Sequence, residues 1–173
     1  MIATAFALAV VLQAAPDPAA AEVAAVLDRL NAASTAADGP TYFALFTPDA
    51  RFVGTDATEH WDRAEFEALY APYFTRGRGW SYPATERTIT IAPIDCRCIA
   101  WFEEKLTNES YGETRGSGVM RLTDDGWKIE QYVLSLAVPN EAAAQVVSVI
   151  SEWKSASSAA EAAAADARRA QGD

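Results

Sequence analysis

The chain has 173 residues, half of them hydrophobic, with five Trp, six Tyr and seven Phe. This is the size of one domain, with enough apolar volume for a single core. It carries 14 basic against 24 acidic side chains, a formal net charge of −10. Such a chain repels phosphate backbones, and no local run of Lys or Arg offsets the repulsion, so we expect no nucleic-acid partner.

The chain begins with an uncharged apolar run, IATAFALAVVL, over residues 2–12. The run is shorter than the roughly 20 residues that span a bilayer, so no stable membrane span is expected. Its length fits the core of a signal peptide, and Ala19 to Ala21 offers a cleavage site, although the usual basic start is missing. We therefore predict a signal peptide over residues 1–21 and export to the periplasm or the exterior. The alternative is an Ala-rich first helix in a cytoplasmic protein.

Hydrophobic periodicity and turn residues predict helices in the first part of the chain and strands after it. An amphipathic helix is predicted over residues 19–37 and a short second helix over residues 41–46, ended by Pro48. The stretch ARFVGT then predicts a first strand. Asp62 and Glu65 form a capping-box pair, which predicts the start of a third helix.

Further strands are predicted over residues 81–139, joined by short turns such as DDG before Trp127. Short connections favour an antiparallel sheet. Helices followed by a strand meander predict an α+β fold, with the helices covering one face of a curved sheet. Residues 141–155 predict a C-terminal helix. The Ala-rich residues 156–173 have nothing to bury and predict a mobile tail.

Cys96 and Cys98 are separated by one residue. In a strand they would point to the same face, and a bridge between them would need strained geometry, although it is not excluded. With two Cys and one His, the chain lacks the ligand set of a structural metal site. No phosphate loop or nucleotide fingerprint is visible. We interpret the cysteines as half-buried strand residues and expect neither a metal nor a cofactor.

Three segments, taken in order, resemble the SnoaL-like branch of the nuclear-transport-factor-two-like superfamily: LFTPDARFVGTDATEHW, AWFEEKL and YGETRGSGVMRLTDDGWKIEQYVLSLAVPNE. The resemblance covers about residues 22–150 and assigns a SnoaL-like domain to residues 22–140. It implies a cone-shaped fold, in which N-terminal helices and a curved antiparallel sheet enclose a pocket, and it implies a homodimer formed through the outer sheet face. Isomerases, cyclases, dehydratases and non-catalytic binders share this fold, so the fold does not fix the activity. The Asp-plus-Tyr pair of the ketosteroid isomerases has no residue-by-residue counterpart here.

The stretch GTDATEHW holds several candidate site residues. Asp56 is expected to form an Asx turn; alternatively, Asp56 or Glu59 lies at the pocket mouth and contacts a ligand. His60, the only histidine, is either a proton carrier or a solvated surface group. Trp61 either contacts the ligand or packs the third helix onto the sheet.

The stretch AWFEEKL offers two candidate bases. Alternation along a strand places Trp101 and Glu103 on one face and Glu104 on the other. A glutamate on the pocket face would be desolvated, which raises its pKa toward that of a useful general base. The sequence does not decide which glutamate that is, so both are catalytic candidates together with His60. The alternative is a pair of solvated acids.

The last two strands supply the remaining candidates. Tyr111 and Arg115 share a face, and Arg115 either pairs with one of the two glutamates or holds an anionic ligand. Trp127 and Gln131 are predicted to share a face on which Gln131 needs a hydrogen-bond partner. The full candidate ligand-binding set is Asp56, Glu59, Trp61, Trp80, Trp101, Tyr111, Arg115, Trp127 and Gln131.

These residues support three hypotheses. The favoured one is a pocket protein that binds a small, largely apolar ligand. The second is a cofactor-free proton-transfer enzyme (an isomerase, cyclase, dehydratase or hydrolase) with Glu103 or Glu104 as base and His60, Tyr111 or Arg115 stabilising charge. The third is a dimeric interaction module, using the outer sheet face or the C-terminal helix.

Overall fold

The computed structural model describes residues 17–171. They form two compact units that divide after Leu136. No helix among the described residues is both long and apolar enough to cross a membrane. The first unit contains the helices and the sheet that the sequence predicted, and the second contains a C-terminal helix.

The first unit contains three helices and one sheet. The helices are α1 (Pro18–Thr35), α2 (Gly39–Ala44) and α3 (Arg63–Thr75). The strands are β1 (Phe46–Val53), β2 (His60–Asp62), β3 (Ala84–Ile91), β4 (Ile99–Asn108), β5 (Gly112–Thr123) and β6 (Gly126–Leu136). They lie in the order β2-β1-β6-β5-β4-β3. The predicted α+β fold, a curved sheet against N-terminal helices, is confirmed.

Two details of β1 differ from the prediction. The strand begins at Phe46 and includes Pro48, which was expected to end the preceding helix. The pairing register with β6 shifts between Phe46 and Arg51, and this irregularity accommodates Pro48, which has no N–H for a ladder hydrogen bond. β1 also pairs with β6 in parallel, whereas the other neighbouring strands are antiparallel.

The helix starts follow from local hydrogen bonds. The Asp17 side chain accepts from the Ala19 N–H at the start of α1, and Pro18 occupies a position that needs no donor. At α3, Asp62 accepts from the Glu65 N–H while the Glu65 carboxylate accepts from the Asp62 N–H. The predicted capping box is confirmed.

One aromatic residue joins several elements. Phe66 on α3 is almost fully buried and stacks on Phe52 of β1 with ring centroids 4.0 Å apart. Its other ring contacts are Tyr42, Phe43, Phe46, Trp61 and Tyr70. These contacts hold α2 and α3 against β1 and β2. Truncating a buried Phe of this kind typically costs about 3–5 kcal/mol.

A buried ion pair fastens α1 to the sheet. The Arg87 guanidinium on β3 donates to Glu104 Oε1 at 2.7 Å and also reaches Asp28 at 2.8 Å and the Ala24 carbonyl at 3.2 Å, both on α1. The Glu104 side chain is 1 % exposed, and within the described residues its Oε2 is buried without a hydrogen-bond partner. Burial raises the pKa of Glu104, and the Arg87 charge opposes that rise.

The prediction that the two cysteines are strand residues is wrong. Cys96 and Cys98 lie in the turn between β3 and β4 and form a disulfide, with Cα atoms 5.1 Å apart. That separation is within the usual range for disulfides. Arg97 between them has a positive φ of 47°, which reverses the chain and brings the two sulfurs together. Arg97 also forms an ion pair with Asp17.

The second unit contains a one-turn 3₁₀ helix, Asn140–Ala142, and α4, Ala143–Gln171. α4 carries exposed apolar side chains, including Ile150 and Trp153. α4 includes residues 143–155 of the predicted C-terminal segment and continues through the Ala-rich segment as far as Gln171. The mobility expected of that segment stays a prediction. Residues 1–16 of the predicted signal peptide, and residues 172–173, lie outside the described residues.

The buried ion pair yields a stability prediction. Arg87→Ala is expected to lower the free energy of unfolding by about 3–5 kcal/mol, because it leaves Glu104 buried and unpaired. Replacing both Arg87 and Glu104 by Met is expected to recover most of that loss. Denaturant unfolding measures each value.

The matched control is Arg115→Ala. Arg115 and Glu103 are 3.7 Å apart, and both side chains are 61 % exposed. Because water screens such a pair, its loss is expected to cost about 0–1 kcal/mol. Equal losses for Arg87→Ala and Arg115→Ala would contradict the role assigned to the buried pair.

Candidate functional site

A cavity of about 190 Å³ opens to solvent in the first unit, where β1, β6 and α3 meet. Most of its lining is aromatic. The lining residues are Phe52, Gly54, Thr55, Glu59, Phe66, Tyr70, Trp80, Tyr82, Tyr111 and Leu134. A narrower space of about 20 Å³ shares Phe52, Trp80, Tyr82 and Leu134 with it and extends toward Tyr132 and α1. A concave, mainly apolar site with few polar groups is typical of small-molecule binding.

The loop between β1 and β2 positions the cavity carboxylate. Asp56 Oδ1 accepts from the Thr58 N–H at 2.8 Å and from its hydroxyl at 2.6 Å, which forms the predicted Asx turn. Glu59 closes the loop: its N–H donates to the Asp56 carbonyl, and its own carbonyl accepts from the Gly54 N–H. Its Oε2 accepts from the Asp56 N–H at 3.1 Å. The Glu59 side chain is therefore held by the backbone of its own loop.

Gly54 makes this arrangement possible. A Cβ atom at this position would overlap the Glu59 carboxylate and touch the Glu59 Cβ. The absence of a side chain lets the carboxylate fold back over the strand end and reach the cavity. The compact GTDATE loop therefore holds the Glu59 carboxylate in one orientation at the cavity.

The phenol groups of the cavity interact with that carboxylate. Burial raises the pKa of Tyr82 to about 12, with further contributions from Tyr111, Tyr70 and Glu59. Burial also raises the pKa of Tyr70, and Glu59 is the next cause. These two phenols are therefore uncharged at neutral pH and provide neutral hydrogen-bonding groups around a carboxylate.

The structure brings three of the predicted ligand-binding residues together. Glu59, Trp80 and Tyr111 all line the cavity. Trp61 lies behind it, with its ring centroid 6.1 Å from that of Phe66, so its side chain packs α3 onto the sheet. His60 is exposed on β2 and is not among the lining residues.

Four other candidates lie on the outer face of the sheet. Trp101 is 46 % exposed, and its cross-strand neighbour on β5, Val119, in turn pairs with Gln131 on β6. Glu103 and Arg115 form the exposed pair described above. The structure places these residues away from the cavity lining and next to one another.

The prediction that Trp127 and Gln131 share a face is wrong. Met120 pairs with Ile129 while Val119 pairs with Gln131, so β6 contains one extra residue, Glu130. Such a bulge reverses the alternation of side chains beyond it. Trp127 is consequently buried on the inner side, where its Nε1 has no hydrogen-bond partner in the described part of the chain.

The inward-facing glutamate is Glu104, and it lies in the buried pair with Arg87. It is not among the residues that line the cavity. The cavity residues that sequence reasoning missed include Tyr70 and Tyr82. Tyr70 lies four residues after Phe66 on the same face of α3, and that helical spacing is a usable signal. Tyr82 lies in the loop before β3 and carries no periodic signal. Within residues 17–171, no cluster of His, Cys, Asp and Glu could hold a metal ion.

The bent sheet, the helices across it and the cavity between them define a nuclear-transport-factor-two-like fold. A family model of the SnoaL-like domain matches residues 23–139, so the chain belongs to the SnoaL-like domain family. No curated protein sequence matches the chain significantly.

Solved structures agree on the fold. A candidate dehydratase of the nuclear-transport-factor-two-like family from Streptomyces avermitilis has a TM-score of 0.60 at 17% identity, over 72% of this chain and 100% of that chain. A protein of unknown function of the same type from Pseudomonas putida has a TM-score of 0.59 at 15% identity, over 72% and 90%. A candidate aromatic ring hydroxylase from Novosphingobium aromaticivorans has a TM-score of 0.59 at 16% identity, over 72% and 93%.

The environment of Tyr82 yields a pH prediction. In the folded protein its pKa is about 12, whereas a free tyrosine ionises near about 10. The folded state therefore keeps this proton at a pH where the unfolded state loses it, so stability present below about pH 10 is lost as the pH rises toward about 12. Tyr82→Phe removes this contribution, and the stability of the variant is expected to fall less steeply in that range.

Denaturant unfolding of the parent protein and the variant at a series of alkaline pH values measures the effect, and the phenolate absorbance reports the ionisation directly. Parallel stability curves for the two proteins above pH ~10 would contradict the assignment.

Proposed function

We propose that this protein binds a small, largely apolar organic ligand in the cavity lined by Trp80, Tyr82 and Tyr111. The observation that carries the proposal is an open, aromatic-lined cavity containing one oriented carboxylate, Glu59. Its volume of about 190 Å³ exceeds the about 150 Å³ that suffices for benzene in an engineered cavity. A single ring with a short substituent is the size of ligand that this space accommodates.

Proton-transfer chemistry is the second candidate function. It is favoured by one carboxylate beside the phenols of Tyr70 and Tyr82, which provides a base next to neutral hydrogen-bond donors. In this version Glu59 is the base, because Glu103 lies on the outer face and Glu104 is paired with Arg87.

We also propose that the chain is exported. The apolar run over residues 2–12 supports a signal peptide. The Cys96–Cys98 disulfide supports it independently, because disulfides form and persist mainly in oxidising compartments. Cleavage after Ala21 would remove Asp17, which begins α1 and pairs with Arg97, so these contacts favour a cut before Asp17.

A cavity ligand is expected to raise the thermal midpoint of the parent protein but not that of Leu134→Trp, in which the indole fills the space. At about one hundred times its dissociation constant a ligand adds about 2.7 kcal/mol, which for a domain of this size is about 5–10 °C. A thermal-shift screen of aromatic acids, ketones, phenols and amines measures this. Incubating a hit with the protein then separates binding from turnover.

The matched control is Leu122→Trp, the same substitution at an exposed position of β5 outside the cavity lining. It is expected to respond to the ligand like the parent protein. A ligand that still stabilises Leu134→Trp binds elsewhere, and a flat screen would contradict the cavity proposal and favour an interaction module.

We propose that the chain forms a homodimer through the outer sheet face around Trp101. Its support is the large aromatic side chain of Trp101, which is 46 % exposed and lies beside Val119 and the Arg115–Glu103 pair.

Trp101→Glu is expected to weaken self-association about 30-fold, the loss of a typical Trp hot spot. Sedimentation equilibrium measures it, with Trp153→Glu on α4 as the control. Weakening by Trp153→Glu instead would place the interface on α4, and a monomeric parent protein would contradict the dimer.

A further inference from the structure

Among residues 17–171, the cavity lining carries negative charge without a positive counterpart. Glu59 is a lining residue, and no Lys, Arg or His of the described chain lines the same space. The carboxylate is fixed by the Asp56 N–H and contributes to the raised pKa values of Tyr70 and Tyr82. The whole chain has a formal charge of −10, which adds attraction for cations in solution.

The rings around Glu59 are arranged as walls. Tyr70 and Trp80 make an edge-to-face contact, with ring centroids 5.5 Å apart and planes at 74°, and both residues line the cavity. Tyr82 and Tyr111 add further rings. Aromatic faces carry negative quadrupolar charge and attract a cation within about 6 Å of the ring centroid.

We propose that the cavity selects small organic cations, with an ammonium head held by the Glu59 carboxylate and the faces of Tyr70 and Trp80. This inference rests on the proposed ligand-binding function and names the class of ligand. An anionic ligand would meet a like charge without a neutralising residue. A neutral apolar ligand would desolvate Glu59 without offering it a partner, which is unfavourable. A quaternary or protonated amine instead provides the carboxylate with a counter-charge and the rings with an apolar, positively charged surface.

The size of the cavity limits the cation. A space of about 190 Å³ accommodates a trimethylammonium group with a short tail, or one aromatic ring carrying an amine. Tyr82 and Tyr111 provide hydroxyl groups for a polar tail. Choline has both features and is water-soluble, which makes it a suitable probe.

The test compares choline with neohexyl alcohol, its uncharged analogue in which carbon replaces the quaternary nitrogen. Isothermal titration calorimetry measures the dissociation constants of both probes for the full chain. Choline is expected to bind about a hundredfold more tightly than the alcohol, because the ring faces and the Glu59 carboxylate each contribute about tenfold.

Two variants of equal charge locate the effect. Glu59→Gln keeps an oxygen that can accept from the Asp56 N–H, and it is expected to weaken choline about tenfold without weakening the alcohol. Glu103→Gln removes the same charge from the outer sheet face and is expected to bind both probes like the parent protein. Thermal unfolding without ligand confirms that each variant is folded.

The outcomes separate this inference from the proposed function. If the alcohol binds as tightly as choline, or if Glu59→Gln and Glu103→Gln weaken choline equally, the cation selectivity is overturned while the cavity remains a binding site. If neither probe binds but a neutral or acidic compound from the thermal-shift screen does, the selectivity is again overturned. If the probes and the screen all fail, both the inference and the proposed function fall.

Discussion

The packing of Phe66 is the constraint on which the site depends. Its ring is almost fully buried and stacks on Phe52 at 4.0 Å, so α3 is held at a fixed distance from β1. Both rings also line the cavity, which means that the residue that joins helix to sheet forms one wall of the site. The other wall comes from Tyr70 and Trp80, whose ring centroids lie 5.5 Å apart. The ring cluster that stabilises the fold thus gives the cavity its shape.

Three glutamates show how position decides the role of one chemical group. Glu103 is on the outer face and forms an exposed pair with Arg115, where water screens the charge. Glu104, the next residue, is buried and paired with Arg87, whose guanidinium also contacts Asp28 on α1. Glu59 is half-buried at the cavity, fixed by a backbone N–H of its own loop. Only Glu59 combines a solvent-connected space with surrounding rings, and the proposed chemistry therefore centres on it.

Local features were predictable from the sequence because their causes are local. The Asp62–Glu65 capping box and the Asx turn of Asp56 each join residues two or three positions apart. The cysteine turn is also local, yet the sequence favours a strand there. The turn depends on a positive φ at Arg97, a conformation that residues other than glycine rarely adopt and that the sequence does not signal. For the candidate site, Glu59, Trp80 and Tyr111 were identified, whereas Tyr82 was missed because a loop residue has no periodicity.

Apolar periodicity, capping pairs and turn residues act over a few positions, so the sequence predicts the helices, most of the strands, their order and the α+β class, although not the short β2. The sequence also determined that Glu103 and Glu104 diverge, since adjacent strand residues point to opposite faces. Which face each one occupies depends on how the strands pair and on which helices cover them. The bulge at Glu130 reverses the alternation of β6, and Arg87 reaches Glu104 from a different strand. Pairing register and long-range contacts bring together residues that are distant in the chain. The cavity around Glu59 is lined by such residues, so it depends on these contacts.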